Sequence, residues 1–197
     1  LDTDALSKHA ELFTRMSQNA GFHSFEMIGN CYQGLALTMQ GHAHEGLRLI
    51  RRGLERREAV GAWCYHSDIW GGMAEAQAMT GHVEEGLATL TEALTLAEET
   101  GERYFEAELY RIQSELHLRR DDELAAEDSL HKSIEVARRQ KAKLWELRAT
   151  TNLARLWARQ GRSVEARARL QGVYDWFDEG FDTPELLAAK CFLKDLS

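Results

Sequence analysis

The residues able to do chemistry sit at regular places in the chain. His42 and His44 flank Ala43, and His82 lies forty residues after His42. Neutral imidazoles are common metal ligands. A zinc site needs three or four ligands, though, and no cysteine or carboxylate obviously completes this set. These histidines read as solvated turn residues near helix N-termini. Asp121-Asp122-Glu123 reads as an acidic cluster complementing the positive end of a helix dipole, not as a metal site. Arg48, Arg52 and Arg56 are four apart and share one helical face, with Arg51 and Arg57 beside them. Glu45, Glu55 and Glu58 neutralise that stretch in part. The block 41–80 carries five basic and five acidic residues, so the patch reads as a solvated convex face and nucleic acid is disfavoured. Neither a phosphate-binding glycine loop, a dinucleotide fingerprint, a nucleophile elbow nor an H-E-x-x-H pair occurs. No catalytic residue, no metal and no cofactor is expected.

Such residues must be held by some scaffold, and the composition says which. There is one proline in 197 residues, where average usage of roughly 5% would give about ten. With 44% apolar and 28% charged residues, the near-absence of proline predicts long uninterrupted helices. The net charge of −8 opposes binding to nucleic acid or anionic membranes by the whole surface. Cys31, Cys64 and Cys191 are odd in number and widely spaced, which predicts reduced thiols used as small core residues in a cytoplasmic protein. No apolar run approaches the ~18 residues of a membrane span, and no signal peptide opens the chain. The start at Leu1, in mid-pattern, reads as a fragment of a longer protein.

Glycines set a ruler. Gly21, Gly61 and Gly101 are forty apart, with Lys141 next in that series; Gly41, Gly81 and Gly161 form a second series, with Asp121 in the gap. Two breaks per forty residues imply two helices per repeat, each closed by a residue that accepts positive φ. Four columns keep the register. Phe25, Tyr65, Phe105 and Trp145 are aromatic; Gly34, Ala74, Ser114 and Ala154 are small; so are Gly46, Gly86, Ala126 and Ala166; Ile50, Leu90, Leu130 and Leu170 are aliphatic. Small columns let helices approach, and large ones fill the space beside them. Trp70, Trp145 and Trp157 are expected in the core, Trp63 near a helix start, and Trp176 beneath a C-terminal cap. Residues 2–20 read as the second helix of a preceding repeat, with Leu6, His9, Phe13 and Met16 on one face. Thr183 suits an N-cap and Pro184 the first helical position; Leu186, Ala189, Leu193 and Leu196 then form one apolar stripe.

The fourth repeat carries a likeness. Leu153, Ala154, Trp157, Gly161 and Ala166, with Leu170 in the later large position, resemble the tetratricopeptide (TPR) signature. That repeat is about 34 residues long, so six more lengthen the helices here, and the proline ending the usual motif is absent. Residues 81–197, through Trp145-Glu146-Leu147-Arg148-Ala149 and the run from Tyr174 to Thr183, also resemble the C-terminal end of large bacterial predicted ATPases, many with cyclase or DNA-binding domains. The resemblance implies an all-α, right-handed α-α superhelix, a TPR-like solenoid of about ten antiparallel helices. It would be a single domain over 1–197: a leftover helix at 2–20, repeats at 21–60, 61–100, 101–140 and 141–180, and a capping helix at 182–196. It further implies a non-catalytic interaction or scaffold module, the regulatory part of a larger bacterial regulator. The alternative is a small-molecule effector sensor in such a regulator.

First helices line the concave surface of such a superhelix. Registering the fourth repeat on the TPR pattern puts Arg148, Thr151, Asn152, Arg155 and Arg159 there. Forty-residue shifts give Glu108, Arg111, Ile112, Glu115 and Arg119, then Asp68, Gly71, Gly72, Glu75 and Met79, then Ile28, Cys31, Tyr32, Leu35 and Met39. The candidate binding face is therefore Tyr32, Leu35, Met39, Glu75, Met79, Arg111, Glu115, Arg148, Asn152, Arg155 and Arg159. It grades from apolar through acidic to basic, which suits an extended peptide or helix. Asn152, Arg155 and Arg159 would hold a carboxylate. Two readings compete. Arg155 and Arg159 either meet a ligand or pair with Glu115 and Glu75 to leave a self-neutralised face. Gly71-Gly72 either admits a large neighbour such as Tyr32 or Ile112, or opens a pocket. The expected partners are a protein or peptide segment, or other domains of the parent chain. A homodimer through the apolar face of the N-terminal helix is also expected, and no membrane.

Overall fold

The computed structural model describes residues 3–59 and 67–196. Gly61, Trp63, Cys64 and Tyr65 lie outside the described residues. Every regular element among those described is an α-helix. They run α1 Thr3–Ala20, α2 His23–Met39, α3 Ala43–Ala59, α4 Ser67–Met79, α5 Val83–Thr100, α6 Glu106–Leu118, α7 Glu123–Arg139, α8 Lys143–Arg159, α9 Ser163–Tyr174 and α10 Pro184–Asp195. No described helix is long and apolar enough to cross a membrane. The chain divides into two compact units, Leu1–Arg103 and Tyr104–Ser197.

The turn ruler has a direct backbone cause. Gly21, Gly41, Gly81, Gly101 and Gly161 all take positive φ, between 71° and 90°. At the two places where the ruler lacks glycine, Asp121 and Lys141 take the same left-handed conformation, with φ of 58° and 57°. The fold thus demands that geometry at every one of these turns, even where a Cβ makes it costly.

In the first unit, α2 packs on α3 and α4 on α5, with α1 against α2. The α2–α3 contact is tight because both small columns carry glycine there. A Cβ on Gly34 would lie 2.7 Å from the Gly46 carbonyl oxygen, and one on Gly46 would lie 2.5 Å from that of Gly34. Ile50 fills the space beside this contact and is fully buried, as is Leu90 in the next repeat. Not every large column is interior. Phe25 is 50% exposed; it lies in the first turn of α2 and meets the ring edges of Phe13 at 6.0 Å and Phe22 at 6.1 Å. Phe13 and Met16 also stand exposed on α1.

In the second unit, α6 pairs with α7 and α8 with α9, and α10 packs on α8 and α9. Leu130, Leu147, Leu153, Leu156 and Leu170 are fully excluded from solvent, each worth about 1.5–3 kcal/mol of burial. The aromatic column holds between successive repeats here, with Phe105 edge-on to Trp145 at 5.8 Å. Leu186, Ala189 and Leu193 of α10 complete this core, with Leu196 packed against it. Pro184 opens α10 as expected, but the Thr183 hydroxyl donates to the Gly180 carbonyl at 2.7 Å and caps no helix amide. Trp176 is not beneath the cap. It is 59% exposed, since α9 ends at Tyr174 and the neighbouring Phe177 takes the place against the core. Cys31 is a core residue, whereas Cys191 is exposed.

Candidate functional site

The first helices of two successive repeats, α6 and α8, present a linked set of charges. Glu108 is 1% exposed, and a buried carboxylate needs compensation. Its Oε2 accepts from Arg111 Nε at 2.9 Å and pairs with Arg148 at 3.1 Å. Arg111 in turn pairs with Glu115 on its other side. Asn152 donates its amide to Glu115 Oε1 at 3.1 Å. The spacing explains the order: Glu108, Arg111 and Glu115 follow i, i+3 and i+7 on one face of α6, and Arg148 and Asn152 are one turn apart on α8. Two arginines against two glutamates leave this part of the face neutral.

Four of the expected binding residues, Arg111, Glu115, Arg148 and Asn152, are therefore engaged within one network. Arg111 is buried rather than offered to a ligand. This segment is neutralised by pairs other than the expected ones of Arg155 and Arg159 with Glu115 and Glu75. Glu115 is met by Arg111 and Asn152, and not by Arg155 or Arg159.

Beyond Asn152 the balance changes. Arg155 and Arg159 are both exposed, one turn apart near the end of α8. Arg155 stacks its guanidinium over the Phe192 ring of α10, 5.8 Å from the centroid. Together with Glu115, Asn152, Leu118 and Ala158 these residues line an open cleft of about 620 Å³. One wall is apolar, one carries two guanidinium groups, and Asn152 stands at the acidic end. This arrangement can hold a carboxylate against a bidentate fork while an apolar group rests on Phe192. The sequence pattern could not supply Phe192, because α10 lies outside the forty-residue register.

The residues expected in the first unit behave differently. The Tyr32 hydroxyl donates to Asp68 at 2.8 Å, tying α2 to α4. Leu35 packs into the space above Gly72, where any Cβ would overlap its Cδ2. Gly72 thus admits a large neighbour; that neighbour is Leu35, and not Tyr32 or Ile112. Glu75 is half-buried, and Met39 and Met79, at the ends of α2 and α4, are exposed.

The remaining polar clusters have structural roles. His42, His44 and His82 are exposed. No group of three or more potential metal ligands assembles among the described residues. Asp122 caps α7 by accepting from the Ala125 amide at 3.0 Å. Glu127 accepts from Trp157 Nε1 at 2.7 Å and from Arg162 at 3.0 Å. Burial pushes its pKa up, but those donors outweigh it and hold the carboxyl below its ordinary value.

Comparison with solved structures shows the fold class. The crystal structure of BtubC (BKLC) from P. vanneervenii superposes with a TM-score of 0.74 at 14% identity, over 100% of this chain and 83% of that one. A crystal structure of a Podosopora anserina putative kinesin light chain with nearly identical TPR-like repeats gives a TM-score of 0.66 at 14% identity, over 88% and 86% of the two chains. A point variant of that same protein gives 0.67 at 15% identity, over 88% and 86% again. The fold is all-α, a TPR-like helical-repeat solenoid. No family model matches the sequence, and no curated protein does.

Proposed function

We propose that this chain is a non-catalytic helical-repeat interaction module. Its partner is a protein segment, or another domain of a larger regulator, bearing a carboxylate next to an apolar side chain. The observation carrying this reading is the α6–α8–α10 cleft. There Arg155 and Arg159 stand exposed beside the Phe192 ring while the neighbouring charges neutralise one another. The sequence resemblance to the C-terminal ends of bacterial predicted ATPases supports the regulator setting, and the reduced-thiol pattern supports a cytoplasmic one. Arg155 over an aromatic ring, with Arg159 one turn away, offers a residue type that is enriched among the residues dominating binding energetics at interfaces. The alternative is an effector sensor; of the Gly71-Gly72 pair on which that reading rests, Gly72 has its space taken by Leu35.

A peptide-display selection against the intact chain tests this. Peptides combining an acidic and an apolar residue should be enriched, and the double variant Arg155→Glu/Arg159→Glu should lose them. Enrichment of basic peptides, or retention by the double variant, would count against the cleft.

A further inference from the structure

A second cleft of about 720 Å³ lies elsewhere in the same unit, among α7, α8 and α9. Arg138 and Lys141 reach it from the end of α7 and its turn, Lys143 and Glu146 from the start of α8, Arg169 from α9, and Trp176 from beyond α9. Four cations face one carboxylate in a chain whose net charge is −8. Glu146 is fully committed: its side chain is buried and accepts from Arg138 at 2.6 Å and Lys143 at 2.7 Å. Among the residues lining the cleft, no second carboxylate is present for Lys141 and Arg169. The Nε of Arg169 is shut off from solvent without a hydrogen-bond partner. Burial, then the adjacent Arg138, depresses its pKa despite the pull of Glu146. The Arg169 side chain is only part-buried and lines the cleft, so its charge is offered to an anion there. The start of α8 adds the positive end of its dipole. On the other side Trp176 offers an exposed indole, with the Lys143 ammonium 5.4 Å from its ring centre. Gly172 leaves the floor open, since a Cβ there would meet nothing within 4 Å.

We propose that this cleft is a binding site for a small organic ligand carrying two or more phosphates, with Arg169 and Lys141 as its principal anion contacts and Trp176 as the wall for its apolar portion. The excess of cations calls for a multivalent anion, which a single carboxylate does not supply. The guanidinium fork matches phosphate oxygens in pairs. The volume is that of a small-molecule pocket. The site is separate from the Arg155–Phe192 cleft and does not depend on what that cleft binds.

Inorganic tripolyphosphate is the probe, titrated calorimetrically into the full chain at about 50 mM salt, where surface charges are only partly screened. Saturable one-site binding is expected. Arg169→Gln should weaken it about tenfold or more, in line with loss of a charge-assisted bond. Gly172→Leu, which fills the cleft without touching a charge and favours the helix, should weaken it similarly with an unchanged or higher melting temperature. Arg155→Gln/Arg159→Gln, in the other cleft, should leave affinity unchanged. No saturable binding would overturn the proposal. So would wild-type affinity in Arg169→Gln and Gly172→Leu, an equal loss in the Arg155→Gln/Arg159→Gln control, or binding of an oligoglutamate peptide in place of tripolyphosphate.

Discussion

Replacing Glu108 by glutamine removes the one anion that Arg111 and Arg148 share, while side-chain volume hardly changes. Glu108 and Arg111 are both buried, and their contact is a direct 2.9 Å ion pair. Breaking a buried pair by removing one partner costs ~3–5 kcal/mol, because the other charge is left uncompensated. Two features reduce that figure here. Arg111 keeps Glu115, and the Arg148 side chain is about one-third exposed, so it rehydrates when released. We therefore expect Glu108→Gln to destabilise by about 2 kcal/mol, which lowers the melting temperature of a chain this size by roughly 4–8 °C. The assay is thermal and urea unfolding followed by far-ultraviolet circular dichroism, completed as a double-mutant cycle with Arg111→Met. The cycle should return a coupling of about 1–3 kcal/mol. A melting temperature within about 1 °C of wild type, or a coupling near zero, would refute the claim that this network sets the neutral part of the face.

Other outcomes follow from the same structure. Lys141→Gly and Asp121→Gly relieve left-handed backbone at a Cβ-bearing residue and should each stabilise by about 0.5–1 kcal/mol, less for aspartate, in urea titrations. Gly46→Ala should destabilise more than Gly72→Ala, although alanine is the better helix former at both. The new Cβ meets the Gly34 carbonyl in one case and only the flexible end of Leu35 in the other. Glu146 is a buried acid-sensitive group: burial raises its pKa, but bonds from Lys143 and Arg138 prevail and hold it below its ordinary value. A depressed carboxyl pKa stabilises the fold fully above the ordinary carboxylate range, and the stabilisation fades as pH falls through that range to the folded value. Glu146→Gln should therefore lower stability at neutral pH and flatten its fall in acid, read as melting temperature against pH.

Much of the fold is legible in the sequence because it rests on backbone geometry. A forty-residue spacing of glycines announces where chain reversal needs positive φ, and Asp121 and Lys141 are readable as substitutes by position alone. Buried columns such as Ile50, Leu90, Leu130 and Leu170 follow because each helix pair repeats one packing problem. The same reasoning misplaces Phe25, exposed in the first turn of α2, and Trp176, which follows the end of α9, where the helical period no longer applies. For the binding face, register puts Asn152, Arg155 and Arg159 on one side of a helix, and the structure brings them together with Glu115. Register says nothing about who neutralises whom. Arg111, expected to face a ligand, lies buried because Glu108 and Glu115 stand one turn to either side. Phe192 and the Arg169 cleft are invisible in the sequence because both depend on elements that meet only in three dimensions.

On the proposed function, the Arg155–Arg159–Phe192 cleft takes a segment of another protein. Amide chemical-shift mapping on the intact chain, with the tightest peptide from the display selection, tests it most directly. Perturbations should centre on Asn152, Arg155, Arg159 and Phe192, and be lost in Arg155→Glu/Arg159→Glu while the rest of the spectrum stays as in wild type. Perturbations centred on the exposed Arg48 and Arg52, or unchanged in the double variant, would rule the cleft out.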